Sequence, residues 1–301
     1  CGAVPVFVDV DPETGNMAPE QIEAAMSSRT RAILCVHQFG MPCDLAAVAA
    51  SSRRLGLPLI EDAACAVGSE IELGREWERV GRPHGDIACF SFHPRKLLTT
   101  GDGGMLTTCD ESIDRKLRLW RQHSMSVPDT VRHSARDVVF EEYEELGYNY
   151  RMTDIQAAVG RAQLSRLPDL LARRRMQAAR YRTLLGDIPG LVLPCEPAWA
   201  RTNWQSFAVG LPGEADQLET MRSLLEAGVS TRRGVMASHL EPAYSAEPWR
   251  CWRGCSTADC RHLPETLAAQ SRKIILPLYH EMGEDDQVRV AEAFREALAN
   301  R

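Results

Sequence analysis

Over the first 110 residues, short apolar runs alternate with stretches of helical spacing. Residues 4–10 form one apolar run, 32–37 (AILCVH) reads as a buried strand, 58–61 as a third, 86–92 (DIACFSF) as a fourth and 104–108 as a fifth. Between them, 19–26 has helical spacing opened by a proline. Residues 44–55 read as a helix with Asp44 as N-cap and Gly56 as C-cap. Continuous apolar strands separated by helices imply a sheet covered on both faces, so the pattern predicts an α/β, mostly parallel architecture.

The pattern then changes. A helix is expected over 110–122, followed by a polar and charged excursion over 124–145. In 154–167 the apolar positions Ile155, Ala158, Val159, Ala162 and Leu167 follow helical periodicity. An arginine-rich stretch, 170–185, reads as a long surface helix. From about residue 191, shorter strands (206–211, 274–276) and amphipathic helices (215–227, 285–298) suggest a second, α+β domain. The expected division is a large α/β unit over 1–168 and a smaller α+β unit over 169–301.

Composition adds limits. The 301 residues are enough for two domains. With 44% hydrophobic and 25% charged residues, the composition is that of an ordinary globular protein. A net charge of −6 without a basic block argues against nucleic acid as a partner. No signal-peptide pattern opens the chain and no apolar run suits a membrane span. The ten cysteines are irregularly spaced, and Cys35 and Cys89 lie within apolar runs, so a reducing, cytoplasmic location is expected.

In open α/β sheets, ligands bind beyond the carboxyl ends of the strands. Three polar residues fall there: Asp62 closes one strand, Ser91 closes another, and Lys96 follows before the turn Gly101-Asp102-Gly103-Gly104. A lysine, a carboxylate and a hydroxyl are what pyridoxal phosphate (PLP) chemistry requires: an amine to hold the cofactor and shuttle protons, an acid to pair with the ring nitrogen, and a group for the phosphate. Spacing alone does not single out this cofactor, because a strand-end Asp is often a helix cap and a lysine is usually solvated.

The residues themselves carry more. Residues 60–69 (IEDAACAVGS) resemble the EDAAQAxG segment of the DegT/DnrJ/EryC1/StrS aminotransferases. Residues 85–96 (GDIACFSFHPRK) resemble that family's GDxxxFSFxPxK segment, whose lysine binds PLP, and 100–105 (TGDGGM) resemble its TGEGG turn. Residues 147–152 (GYNYRM), followed by Gln156-Ala157-Ala158 and Gln163-Leu164, are similar to the family's GYNYRM…QAA…QL stretch. So are 239–244 (HLEPAY) and 275–279 (ILPLY) to its HxxPxY and LPL segments. The resemblance runs in family order from Gly2 to the end.

The resemblance implies fold type I of the PLP-dependent aminotransferases, with a three-layer α/β/α cofactor domain followed by a smaller α+β domain. It implies that Lys96 is the cofactor lysine and the acid/base, that Asp62 pairs with the pyridine nitrogen, and that Ser91 touches the phosphate. Asn149 would reach the phosphate of the neighbouring subunit's cofactor, which makes the active unit a homodimer. Cys65 stands where the family usually has a glutamine near the cofactor's ring hydroxyl, and a thiol is a weaker hydrogen-bond partner there. The family's N-terminal segment, which supplies a phosphate loop and an aromatic ring stacked on PLP, does not precede Cys1, so a longer reading frame is expected. The implied reaction moves an amino group from an amino acid such as glutamate to a keto group of a nucleotide-linked sugar, in surface-polysaccharide or secondary-metabolite biosynthesis. A keto-cyclitol acceptor, or a truncated non-catalytic relative, are the other classes.

Three weaker signals remain. Cys251, Cys255, Cys260 and His262 could hold zinc, but their spacing matches no standard finger and no metal site is assigned. Arg173, Arg174 and Arg175, with Arg180 and Arg182, read as a solvated helix face; Arg232 and Arg233 are better placed to meet a substrate phosphate. Trp199, Trp204, Trp249 and Trp252 are expected to pack in a core or an interface.

Overall fold

The computed structural model describes residues 1–127, 129–257 and 260–299. Its first half contains β1 (Val6–Phe7), β2 (Ile33–Val36), α1 (Leu45–Leu55), β3 (Leu59–Asp62), β4 (Glu70–Leu73), β5 (Glu76–Arg79), β6 (Ile87–Ser91), β7 (Gly104–Thr107), α2 (Glu111–Trp120), α3 (Asp129–Ser134) and α4 (Asp154–Ser165). The central sheet has the order β2-β3-β6-β7. Its first three strands are parallel, with Val36 opposite Asp62 and Asp62 opposite Cys89, so their carboxyl ends lie side by side. β7 returns antiparallel against β6. The intervening segment, 92–103, is therefore a loop at that same end.

Local chemistry explains most of these elements. Asp44 caps α1 by accepting the Ala47 N–H at 3.0 Å, and Gly56 ends the helix at φ +65. The apolar stripe of α1, led by Leu45 and Val48, packs on Ile33, Cys35 and Leu59 of β2 and β3. Residues 19–26 form two short 3₁₀ turns, Pro19–Gln21 and Glu23–Ala25, instead of one helix. So short a stretch cannot offset the cost of nucleating an α-helix, and its tighter turns suffice to bury Ile22. The β4–β5 hairpin was not expected: its strands are rich in glutamate. Gly74 and Arg75, both at positive φ, make a two-residue turn that matches strand twist.

The second half contains α5 (Leu167–Leu185), β8 (Ala200–Arg201), β9 (Phe207–Gly210), α6 (Gln217–Glu226), β10 (Arg232–Arg233), β11 (Arg250–Cys251), α7 (Pro264–Arg272), β12 (Lys273–Leu276) and α8 (Glu284–Ala299). An antiparallel sheet, β10-β12-β9, builds a second core with α5, α6 and α8 around Tyr181, Phe207, Leu224, Ile274 and Phe294. α5 joins the two cores. It starts with Leu167, Leu170 and Leu171 against Leu97, and it ends with Ala178, Tyr181 and Leu185 in the second core.

Two expectations need correction. The apolar run 4–10 does not enter the central sheet; only Val6–Phe7 is strand, paired in parallel with β11. Asp9 fixes this segment by accepting the N–H groups of Glu265 and Thr266 at the start of α7, at 2.9 and 2.8 Å. The arginine run on α5 is not uniformly solvated. Arg174 is buried and donates to the carbonyls of Trp204 and Leu278, while Arg173 and Arg182 are exposed. Burial pulls the Arg174 guanidinium down to about 10, with Glu281 opposing. A long stem lets arginine satisfy carbonyls inside a helix–sheet seam, which composition cannot reveal. Trp204 and Trp249 are buried, and Trp199 and Trp252 are half-buried.

Candidate active site

Asp62 ends β3 and Ser91 ends β6, on adjacent parallel strands. The loop after β6 carries Lys96. Its backbone is fixed from within, where Lys96 N–H donates to the His93 carbonyl and Thr100 N–H to the Phe92 carbonyl, at 2.9 and 3.1 Å. Gly103, at φ +150, closes the loop against the Thr100 hydroxyl, and a Cβ there would stand 2.6 Å from that oxygen. The loop is also clamped from the second half of the chain. Gln205 accepts the Leu97 N–H at 2.7 Å and donates to the Arg95 carbonyl at 2.8 Å, one bond on each side of Lys96. His280 Nε2 donates to the Leu97 carbonyl at 3.3 Å. Leu97 and Leu98 are buried, so the half-buried Lys96 side chain projects from an anchored turn.

The Lys96 amine lies 3.0 Å from the sulfur of Cys65. Cys65 sits on the turn after β3. Asn203 holds that turn by donating from Nδ2 to the carbonyls of Cys65 and Val67, both at 2.9 Å. Gly40 passes so close to Asn203 that a Cβ on it would fall 1.9 Å from Oδ1. The segment 203–205 thus holds both loops that face the strand ends.

Asp62 Oδ1 accepts the Ala64 N–H at 3.0 Å, and no cation pairs with its carboxylate among the described residues. Ser91 Oγ accepts the His93 N–H at 3.3 Å, which leaves its proton to donate. Asn149 lies elsewhere, in a β-bridge with Gln122, and is exposed. Among the described residues, no hydrogen bond joins it to Lys96, Asp62 or Ser91.

Beneath Asp62, on the other face of β3, Glu61 is fully buried. Its Oε1 accepts the N–H groups of His84 and Gly85 at 2.9 and 2.7 Å, and its Oε2 lies 3.3 Å from His37 Nε2. Burial pushes this carboxyl up, but the bonds from His37 and Gly85 outweigh it and hold the group below its ordinary value. Cys35, His37 and Cys43 place their ligand atoms within 4.8 Å of one another, as a metal centre would. His37 Nδ1, however, accepts the Cys43 N–H at 3.0 Å, and Nε2 faces Glu61, so neither ring nitrogen offers a lone pair to an ion. At the other cysteine cluster, burial pushes the Cys260 thiol up to about 12, and Cys260 hydrogen-bonds to Cys255 and Cys251 while His262 is exposed. This is packing under Trp249 and Leu263.

A profile of the DegT/DnrJ/EryC1/StrS aminotransferase family matches residues 1–295. The chain belongs to that family. The spore coat polysaccharide biosynthesis protein SpsC of Bacillus subtilis (strain 168) is 36% identical over 301 residues, 99% of this chain and 74% of that protein. The aminotransferase TlmJ from Streptoalloteichus hindustanus superposes with a TM-score of 0.84 at 32% identity, over 99% of this chain and 74% of that one. DesI, determined in the presence of its TDP-sugar product, superposes with a TM-score of 0.81 at 30% identity, over 99% and 70%. As a DegT/DnrJ/EryC1/StrS aminotransferase, the chain is a PLP-dependent enzyme with the aminotransferase fold.

The donor set fits that cofactor. Among the described residues, an amine without a carboxylate partner, a carboxylate without a cation and a hydroxyl with a proton to give lie at one end of the sheet, as an aldehyde, a ring nitrogen and a phosphate require. Sequence reasoning named Lys96, Asp62, Cys65 and Ser91, which the fold brings to the ends of neighbouring strands, and did not name Gln205, Asn203, His280 or Glu61. The one available signal was two amides, Asn203 and Gln205, flanking a tryptophan before an apolar strand.

Proposed function

We propose that this aminotransferase moves an amino group from an amino acid, glutamate in the simplest case, to a keto group of a nucleotide-linked sugar. One observation carries the reading: the Lys96 amine stands on a clamped loop at the carboxyl end of the parallel strands, the same end at which Asp62 closes β3. PLP, when bound, supplies an electron sink for the pair released as the donor loses its Cα proton. Lys96 would anchor the cofactor through Nζ and then use that atom to take and return the proton. Asp62 would hold a proton on the ring nitrogen, Ser91 would donate to the phosphate, and Cys65 would lie by the ring hydroxyl. Residues 1–168 would carry the cofactor, and 169–301 would contribute Gln205, Asn203 and His280 to its support.

The sugar acceptor is supported by the polysaccharide role in the name of SpsC and by the TDP-sugar product of DesI. Arg232 is exposed on β10, where it is available to a substrate phosphate. A homodimer is supported by bare apolar side chains on either side of Asn149 in the sequence: Phe140, Leu146, Tyr150 and Ile155 are 86%, 91%, 72% and 79% exposed. A second subunit covering them would place Asn149 at the phosphate of that neighbouring subunit's cofactor. Among the described residues no helix is long and apolar enough to cross a membrane, and a cytoplasmic site of action is part of this proposal.

The experiment is a panel of keto acceptors, nucleotide-linked sugars against free sugars and cyclitols, offered to enzyme preloaded with the amino group by glutamate. A nucleotide-linked keto sugar should restore the starting cofactor spectrum fastest. Faster restoration by a cyclitol would reject the acceptor class.

A further inference from the structure

Cys65 is the residue at which this chain departs from the family's usual glutamine, and its thiol touches the amine on which the proposed function depends. Both side chains are half-buried, at a site that must admit small molecules. The other inner thiols differ. Cys35 and Cys43 are fully buried, and hydrogen bonding to Cys35, followed by burial, raises the Cys43 thiol well above its ordinary value. Burial, then the nearby Asp62 carboxylate, pushes the Cys89 thiol up. The Cys43 and Cys89 thiols are poor nucleophiles, since the thiolate is the form that reacts with oxidants. Among the described residues, the side-chain hydrogen-bond partner of the Cys65 sulfur is the Lys96 amine at 3.0 Å.

We propose that Cys65 and Lys96 form an oxidation-sensitive pair, in which a hydroperoxide joins the two side chains by a sulfur–nitrogen bond and closes the enzyme to its cofactor. The chemistry balances in two steps. The thiol takes one oxygen from the peroxide, giving a sulfenic acid and one water (for hydrogen peroxide), with sulfur oxidised and the peroxide O–O bond reduced. The neutral Lys96 amine then attacks that sulfur, an S–N bond forms, and the S–O bond breaks as hydroxide leaves with the amine's proton as a second water. Two equivalents of a small thiol reverse the link, releasing Cys65 and Lys96 and forming one disulfide. A sulfenic acid condenses with nitrogen only when that nitrogen is already adjacent, and the anchoring of both loops keeps it so: Asn203 holds the Cys65 turn and Gln205 the Lys96 loop. Cofactor on Lys96 removes the free amine, so loaded enzyme is protected and empty enzyme is not.

This inference rests on the reading of Lys96 as the cofactor lysine, but its test does not. Full-length protein stripped of cofactor is treated with hydrogen peroxide, digested and analysed by mass spectrometry. The expected product is a peptide pair linking Cys65 to Lys96, lighter than the sum of the two by two hydrogens. Dithiothreitol should cleave it and restore cofactor uptake. The link should be absent from Cys65→Ser protein and strongly reduced in protein loaded with PLP before oxidation. Cys65 recovered as a sulfinic acid, or as a disulfide with Cys89 or any other cysteine, with Lys96 free, would overturn the proposal. Because the link is read by mass, it can fail while cofactor uptake by untreated protein succeeds, or the reverse.

Discussion

Lys96→Ala should lower amino-transfer turnover by on the order of 10⁴-fold or more, since positioned proton transfer alone contributes about 10²–10⁴ and the covalent anchor is lost as well. The loss should be confined to chemistry. Lys96 is half-buried, and its turn is held by Leu97, Leu98, Gln205 and His280, none of which the substitution removes. Global stability should therefore stay within about 0.5 kcal/mol of the parent, as is usual for changes away from a core. Turnover with a keto acceptor and a urea unfolding curve on the same preparation check both halves. Retained turnover would show that another amine serves; an unfolded variant would show that the loop does not stand on its clamps.

The largest effect on stability is expected from Glu61→Ala. The carboxylate is fully buried and satisfies two backbone N–H groups and one imidazole nitrogen. Removing it strands those donors in a dry site, at about 3–5 kcal/mol, the range for deleting one member of a buried polar pair. Glu61→Gln keeps one acceptor oxygen and should cost less. The same group sets an acid dependence. Its folded-state value lies below the ordinary carboxyl value of 4.5, so the folded state favours the ionised form more than the unfolded chain does. Its contribution is therefore fully present above pH 4.5 and is lost as the pH falls through the lower, folded-state value. Urea midpoints measured from pH 7 down to 3 should decline for the parent and decline less for Glu61→Gln. Equal slopes would mean that Glu61 titrates alike in both states.

The parts of this molecule that were legible in its sequence are those fixed by local rules. Asp44 and Gly56 bracket α1 because a side-chain acceptor and a left-handed C-cap are local requirements. The alternation of buried strands and helices showed the α/β sheet, and the strand-end positions of Asp62 and Ser91 followed from it. What was hidden depends on distant partners. The short β1 pairs with β11 because Asp9 caps α7, 256 residues along the chain from its bond with Glu265. Arg174 is buried because two carbonyls from later segments need its donors. Gln205 and Asn203 support the site through bonds spanning more than a hundred residues, and no local pattern marks an amide for that use. The identity of Cys65 was visible, but its contact with Lys96 became apparent only once two loops had been brought together.

The central claim, that Lys96 is the amine that holds the cofactor at the ends of the parallel strands, has a direct test. Protein saturated with PLP is reduced with borohydride, which fixes the cofactor to whichever amine it occupies, and is then digested and mapped by mass spectrometry. The account predicts one stoichiometric phosphopyridoxyl group, on Lys96. A stoichiometric label on any other lysine, with Lys96 unmodified, would contradict it.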